Sequence, residues 1–185
     1  MNAGMKIDPD AELVARTGKG DRAAAQALMA RHLPKLLALA RRMLHDRTEA
    51  EDAVQEVFLR LWTHVARWQP GQAKFETWLY RVAMNQCFDR LRKKPADSLE
   101  AAAQVADSGP DPDARLNSAE LAAQVEAALA CLPERQRAAI LLCHYQECGN
   151  IEAAEMLGIS VEALESLLAR GRRTLRTKLA YLKEN

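Results

Sequence analysis

The stretch NIEAAEMLGISVEALESLLARGRRTLRTKL, Asn150 to Leu179, decides the fold. Asn150 is placed to cap a short helix, IEAAEML, and Gly158 to close it. Ser160 then caps a longer helix, VEALESLLARGRRTLRTKL. A short helix, a tight glycine-containing turn and a longer basic helix form a helix-turn-helix pattern. Ala153, Ala154 and Leu157 are spaced to pack on Ile159, Leu164, Leu167 and Leu168, and the small alanines permit a close approach. From Ser166 to Asn185 six basic residues (Arg170, Arg172, Arg173, Arg176, Lys178, Lys183) stand against one acid, Glu184. In such a pair the first turns of the second helix face base edges and arginines farther along clamp phosphates. A merely solvated basic face is the competing reading. Gly171 stands mid-helix, where glycine costs about 1 kcal/mol relative to alanine, and nothing in the sequence explains it.

Working outward, Glu134 to about Gln146 reads as a helix with Ala138, Ile140, Leu141 and Leu142, and Leu116 to Cys131 as another that ends near Pro133. Residues 95–115 hold three of the seven prolines, five acids and only Arg115 as a cation, with few bulky apolar residues. Such a segment cannot offset its ordering entropy, so it reads as a flexible linker. Before it, FETWLYRVAMNQCFDRLR (75–92) forms a helix with Leu79, Val82, Ala83 and Cys87 inward, ended by Lys93, Lys94 and Pro95. Pro70-Gly71 marks the turn that precedes it. Thr48 and Glu51 fit a T-x-x-E capping box. Behind it Ala50, Ala53, Val54, Val57, Phe58, Leu61 and Trp62 make one wide apolar stripe, while Glu49, Asp52, Gln55, Glu56 and Arg60 lie on other faces. An earlier helix covers about Asp21 to Leu44, where Pro34 predicts a kink or break. The fold class is therefore all-α: two small helical domains, 10–94 and 116–185, joined by an acidic linker at 95–115.

The formal net charge of +1 hides a segregated pattern: +5 over residues 61–94, −6 over 95–132 and +1 in each remaining part. A basic block beside an acidic one points to nucleic acid. Within residues 68–94, Trp68, Phe75, Trp78 and Tyr80 lie among Arg67, Lys74, Arg81, Arg90, Arg92, Lys93 and Lys94. Aromatics interleaved with cations suit single-stranded nucleic acid, since unstacked bases stack on rings and cations hold phosphates. The alternative places Phe75 and Trp78 in the core. Asn85, on the same helix, is a candidate for a base-edge hydrogen bond.

No stretch approaches the roughly 18 apolar residues of a membrane span, and Met1 to Glu12 has no secretory pattern, so a cytoplasmic protein without membrane insertion is expected. Cys87, Cys131, Cys143 and Cys148 are too scattered for a disulfide scaffold. Cys87 and Cys131 fit packing in apolar helices. Cys143-His144 with Cys148 falls short of the four ligands of a structural zinc site. No catalytic triad, phosphate loop or spaced carboxylate pair is present, so neither enzyme activity nor a metal or cofactor is expected.

Three motifs, in order, resemble the extracytoplasmic-function (ECF) group of bacterial RNA polymerase sigma factors. EAEDAVQEVFLRLW (49–62) resembles the family's core-polymerase-binding helix. FETWLYRVAMNQCFDRLRKK (75–94) resembles its promoter-melting and −10-reading segment. LPERQRAAILLCHYQECGNIEAAEMLGIS (132–160) with the basic helix after it resembles the −35-reading domain. The resemblance covers about residues 10–180 and implies a region 2-like bundle followed by a region 4-like bundle.

It also implies roles. Asp52, Gln55, Glu56, Leu59 and Arg60 match the face that docks on the polymerase β′ clamp helices, and the C-terminal domain would meet the β flap. Trp78, Arg81 and Asn85 match positions near the melted −10 strand, with Lys74, Arg90, Arg92 and Lys93 as accompanying cations. The −35 contacts would come from Ser160, Glu162, Ala163, Glu165, Ser166, Arg170, Arg172 and Arg173. The acidic linker would thread the RNA exit path. The expected function is promoter-specific initiation with core polymerase, under the control of an anti-sigma protein. Glu162, Glu165 and Leu167 depart from what many relatives carry, Gly, a basic residue and Arg. A helix-turn-helix regulator acting without polymerase is the second reading, and a thiol or zinc sensor the third.

Overall fold

The computed structural model describes residues 8–68, 74–93 and 112–180. Asp10 begins α1 (Ala11–Gly18), a helix that the sequence reading does not foresee. Asp21 then caps α2 (Arg22–Leu44), its side chain accepting from the amides of Ala23 and Ala24 at 2.9 and 3.1 Å. α2 runs through Pro34 as one helix rather than breaking there. Proline deprives the carbonyl of Ala30 of its helical donor. Leu28 and His32 before it, and Leu36, Leu39, Ala40 and Met43 after it, are nevertheless buried on one core, and this holds both halves in line.

α3 (Arg47–His64) starts two residues earlier than the capping-box reading requires. Its cap is Asp46, which accepts from the Glu49 amide at 3.0 Å. Thr48 lies inside the helix and Glu51 instead accepts from Arg47 (2.8 Å) and Arg41 (3.3 Å). The expected stripe is buried from Ala50 to Leu61, whereas Trp62 at its end is 36% exposed. A single 3₁₀ turn (Val65–Arg67) ends this arm, and α4 (Phe75–Lys93) packs across α2 and α3. The N-terminus of α4 is tied down from far away in sequence: the Phe75 amide donates to Asp8 Oδ2 at 2.7 Å.

α5 (Pro112–Ala130) begins inside the segment read as linker; residues 95–111 of that segment lie outside the described residues. α6 (Glu134–Ile140) is shorter than expected, because the chain widens into a π-helical turn at Leu141–Tyr145. α7 (Asn150–Leu157) and α8 (Val161–Lys178) form the helix-turn-helix. Gly158 closes α7 at φ 63°, as its placement requires. Asn150 is not the cap: that position belongs to Gly149, and Asn150 is the first helical residue. Gly171 acquires a reason here. A Cβ at this position would stand 3.1 Å from Ile140 Cγ1, so glycine lets α8 lie directly on α6.

Cys131, expected in an apolar setting, is exposed, because α5 ends at Ala130 and the chain turns there toward Pro133. Cys87 is buried as expected, and burial pushes its thiol up to about 12. The two helical halves share one continuous set of buried side chains. Arg42 bonds Glu126 at 2.8 Å and lies over the Tyr145 ring, and the Tyr80 hydroxyl donates to Gln146 at 2.8 Å. No described helix is long and apolar enough to cross a membrane.

Candidate nucleic-acid and partner interface

The residues picked out as sites fall on three helix faces. On α3, Asp52, Gln55, Glu56, Leu59 and Arg60 are all exposed, opposite the buried row Ala53, Val54, Val57 and Phe58. Beside them runs an apolar groove of about 340 Å³ between α2 and α3, lined by Met29, Leu33, Leu37, Val54, Phe58, Leu59 and Trp62. Leu33, Leu59 and Trp62 are 36%, 57% and 36% exposed. Water-facing apolar side chains gathered in a groove rimmed by Glu51 and Gln55 make a surface fit to receive another protein. Sequence periodicity assigned Trp62 to the core stripe and missed the groove, since its lining comes from two helices.

On α4 the 3.6-residue repeat puts Trp78, Arg81, Asn85 and Arg92 on one stripe. Arg81, Asn85 and Arg92 are exposed, and Trp78 is partly buried. Lys74, just ahead of the helix, bonds Glu152 of α7 at 2.5 Å. Lys93 is exposed at the end of α4, next to this stripe. Arg90 turns away: its guanidinium bridges Glu49 (3.3 Å) and Glu56 (3.0 Å) of α3 and takes Gln86 as well. Arg92 pairs with Asp89 one turn back.

The aromatics divide. Phe75 is fully buried and Tyr80 is 1% exposed, with its hydroxyl bonded and its pKa raised chiefly by burial, so neither ring is available to stack on a base. Trp68 and Trp78 pack edge to face at 5.6 Å, and Phe75 supports both. Trp78 and Arg81 also line a cleft of about 520 Å³ with His64, Arg67, Glu155 and Gly158, so the helix-turn-helix stands next to the α4 stripe.

On α8 the buried seam is Leu164, Leu168 and Gly171. The opposite face presents Glu162, Ser166, Ala169, Arg170 and Arg173, all exposed, with Ala163 and Glu165 at its edges. Ser160 is committed to the helix start, accepting from the Ala163 amide at 3.2 Å. Glu162 also serves the start, where bonds from its own amide and from Ser160 hold its carboxyl below the usual range. Arg172 swings back toward His144, 3.4 Å away. Asn150 reaches across from α7 to Glu165 at 3.4 Å. Acids in the first turns and cations beyond give this face a polarity along its length.

Comparison with known proteins agrees with this layout. Residues 28–95 match the family model for Sigma-70 region 2, and residues 122–175 the model for Sigma-70 region 4. The chain is 33% identical over 175 residues to the ECF RNA polymerase sigma factor SigW of Bacillus subtilis, covering 89% of this chain and 93% of SigW. It is 35% identical to SigM of Mycobacterium tuberculosis (94% of this chain, 86% of SigM). It is 33% identical to SigE of Mycolicibacterium smegmatis, where it spans 87% of this chain and 65% of SigE. Among solved structures, CnrH in complex with the cytosolic domain of CnrY superposes with a TM-score of 0.71 at 28% identity, covering 93% of this chain and 97% of CnrH. RpoE of Bartonella quintana, solved with the anti-sigma factor NepR, shares the fold at a TM-score of 0.66 and 24% identity, over 84% and 96% of the two chains.

Proposed function

The chain belongs to the ECF family of RNA polymerase sigma factors, and from that premise we propose how its three faces divide the work of promoter-specific initiation. The exposed side of α3, with Asp52, Gln55, Glu56, Leu59 and Arg60, docks on the β′ clamp helices of core polymerase. The α4 stripe holds the −10 strand once it is melted, with Trp78 and Arg81 flanking Asn85 as the base contact and Lys74, Arg92 and Lys93 drawing phosphates. Arg90 takes part indirectly, by fixing α4 to α3 through Glu49 and Glu56. The α8 face reads −35 duplex DNA in the major groove, with Arg170 and Arg173 on phosphates.

The observation that carries this reading is the α3 face. A row of polar side chains is exposed beside an apolar groove while the residues behind it are fully packed, in the same chain as a helix-turn-helix. A regulator that only bound duplex DNA would have no use for that first surface. The protein acts by binding and positioning rather than by catalysis, in the cytoplasm beside polymerase. A cognate anti-sigma protein holds it inactive by covering these faces.

Reconstitution with core polymerase on a genomic promoter library tests the proposal. Initiation from a defined subset of promoters, dependent on this protein, is the expected result. Absence of any promoter-dependent initiation would refute it.

A further inference from the structure

We infer that Glu165, held in place by Asn150, selects a cytosine in the −35 duplex; the inference rests on the promoter-reading role proposed above for α8.

The face that α8 turns outward is unusually lean in its first turns. Ala163, Ser166 and Ala169 are exposed, and none carries a side chain long enough to keep the helix backbone off a groove floor. The long exposed side chains in these turns are the two acids, Glu162 and Glu165. Glu162 folds back on its own amide and on Ser160, so its carboxylate is occupied by the helix start. Glu165 is oriented differently: Oε1 accepts from Asn150 Nδ2 at 3.4 Å, across the gap between α7 and α8. A carboxylate has about four acceptor sites on its two oxygens, so this contact restrains it without saturating it. Among the described residues Glu165 forms no salt bridge within 4.0 Å, in contrast to Glu51, Glu56, Glu126 and Glu152. The arginines of the same face, Arg170 and Arg173, come later along the helix.

Placed between phosphates, an unpaired carboxylate opposes binding, so its presence needs a donor on the DNA. The four bases differ in what they offer in the major groove. Guanine presents N7 and O6, both acceptors, and thymine presents O4 and a methyl group; a carboxylate is repelled by each. Adenine presents the N6 amino group next to the N7 acceptor. Cytosine presents the N4 amino group with a C5–H on its open side and only its paired guanine's O6 on the other, so of the four bases it offers Glu165 the least repulsive approach. Selection thus works as much by rejection of guanine and thymine as by attraction to cytosine.

The test is transcription by core polymerase plus the full-length protein from a promoter library randomised through the −35 element, with transcripts counted by sequence. The wild-type protein is expected to favour cytosine at one position by roughly tenfold or more over guanine or thymine. Glu165→Gln should transfer that preference toward adenine, since a carboxamide pairs with N6 and N7 together. Asn150→Ala should reduce the cytosine preference about threefold by freeing the carboxylate. Both positions are exposed, so thermal unfolding and core binding of the variants should match the wild type. Identical sequence profiles for wild type and Glu165→Gln would overturn the inference while leaving the promoter-reading proposal intact. Failure of the wild-type protein to initiate from any library member would overturn that proposal, and this inference with it.

Discussion

Arg137 Nη1 donates a 2.6 Å hydrogen bond to the backbone oxygen of Met43, joining α6 to the C-terminal end of α2 across 94 positions of sequence. The same guanidinium donates to the carbonyls of Leu129 (3.1 Å), Ala130 (2.8 Å) and Leu132 (3.1 Å), which belong to the end of α5 and the turn after it. One buried cation therefore satisfies the orphan carbonyls of two helix ends. Its side chain reaches both halves of the molecule.

Arg137→Ala leaves those carbonyls without a donor in a dry setting. A loss of about 3 kcal/mol or more in unfolding free energy is expected, read from the shift of a urea transition. Arg137→Lys should recover less than half of it, since an ammonium on a flexible stem cannot match the planar fork that spans four carbonyls. An Arg137→Ala transition that coincides with the wild type would show that these bonds contribute nothing net.

A second long-range contact makes stability depend on pH. Asp10 is 1% exposed, 2.8 Å from His32 Nε2, and also takes the Arg31 guanidinium. Burial alone would raise its carboxyl, but the bond and charge of His32, then those of Arg31, outweigh burial and hold it below the usual 3.8. A carboxyl depressed in the folded state contributes stability that is complete above its unfolded value and is lost as pH falls through the folded one. The wild type should therefore lose stability more steeply than Asp10→Asn as pH drops below about 4. At neutral pH the variant should be weaker by about 1–3 kcal/mol. Parallel pH profiles from urea midpoints would exclude Asp10 as the source.

These two contacts also mark what could be read in the sequence. Gly158 and Ser160 were legible because a helix end is a local event: the left-handed turn needs glycine, and the first amides need a short oxygen acceptor. Leu164 and Leu168 were legible through helical periodicity. For α3 the pattern T-x-x-E picked Thr48 as the cap, whereas the helix is capped by Asp46. The choice depends on where α2 stops, with His45 in the left-handed region at φ 51°. Asp10 with His32, Arg137 with Met43 and Gly171 under Ile140 pair residues 22, 94 and 31 positions apart, and nothing local announces them. On α3, polarity picked out the side of the helix that is exposed. Arg90 shows the limit: it belongs to a basic run in sequence, but in space it faces the glutamates of α3.

Gly171→Ala sets helix propensity against packing. Alanine would favour the helix by about 1 kcal/mol. Its Cβ, however, would meet Ile140 Cγ1 at 3.1 Å, and Ile140, 3% exposed in the shared core, would have to give way by a few tenths of an ångström. Overpacking typically costs about 1–3 kcal/mol, so the net expectation is a loss of about 1 kcal/mol in thermal or urea unfolding. Ile140→Ala in the same chain removes Cγ1 and should reduce the penalty of the alanine at 171, which a double-mutant cycle would measure. A stabilised Gly171→Ala protein would mean that α8 can lift away from α6 freely.

Polymerase binding and strand capture should separate cleanly, because the proposal places them on different helices, α3 and α4. Asp52 is exposed on α3, so Asp52→Lys leaves the core intact while reversing a charge on the proposed docking surface. A loss of roughly tenfold in affinity for core polymerase is expected, with a weaker effect at high salt. Asn85 is exposed on α4, where its amide is the proposed base contact. Asn85→Ala should bind core polymerase as the wild type does, yet initiate poorly from double-stranded promoters. It should recover on templates whose −10 region is already unpaired if the loss lies in opening, and fail to recover if it lies in holding the captured base. The proposed role is the second, so an artificially opened promoter should not rescue Asn85→Ala. Equal loss of core binding in Asn85→Ala, or unchanged binding in Asp52→Lys, would reverse the assignment of the two helices.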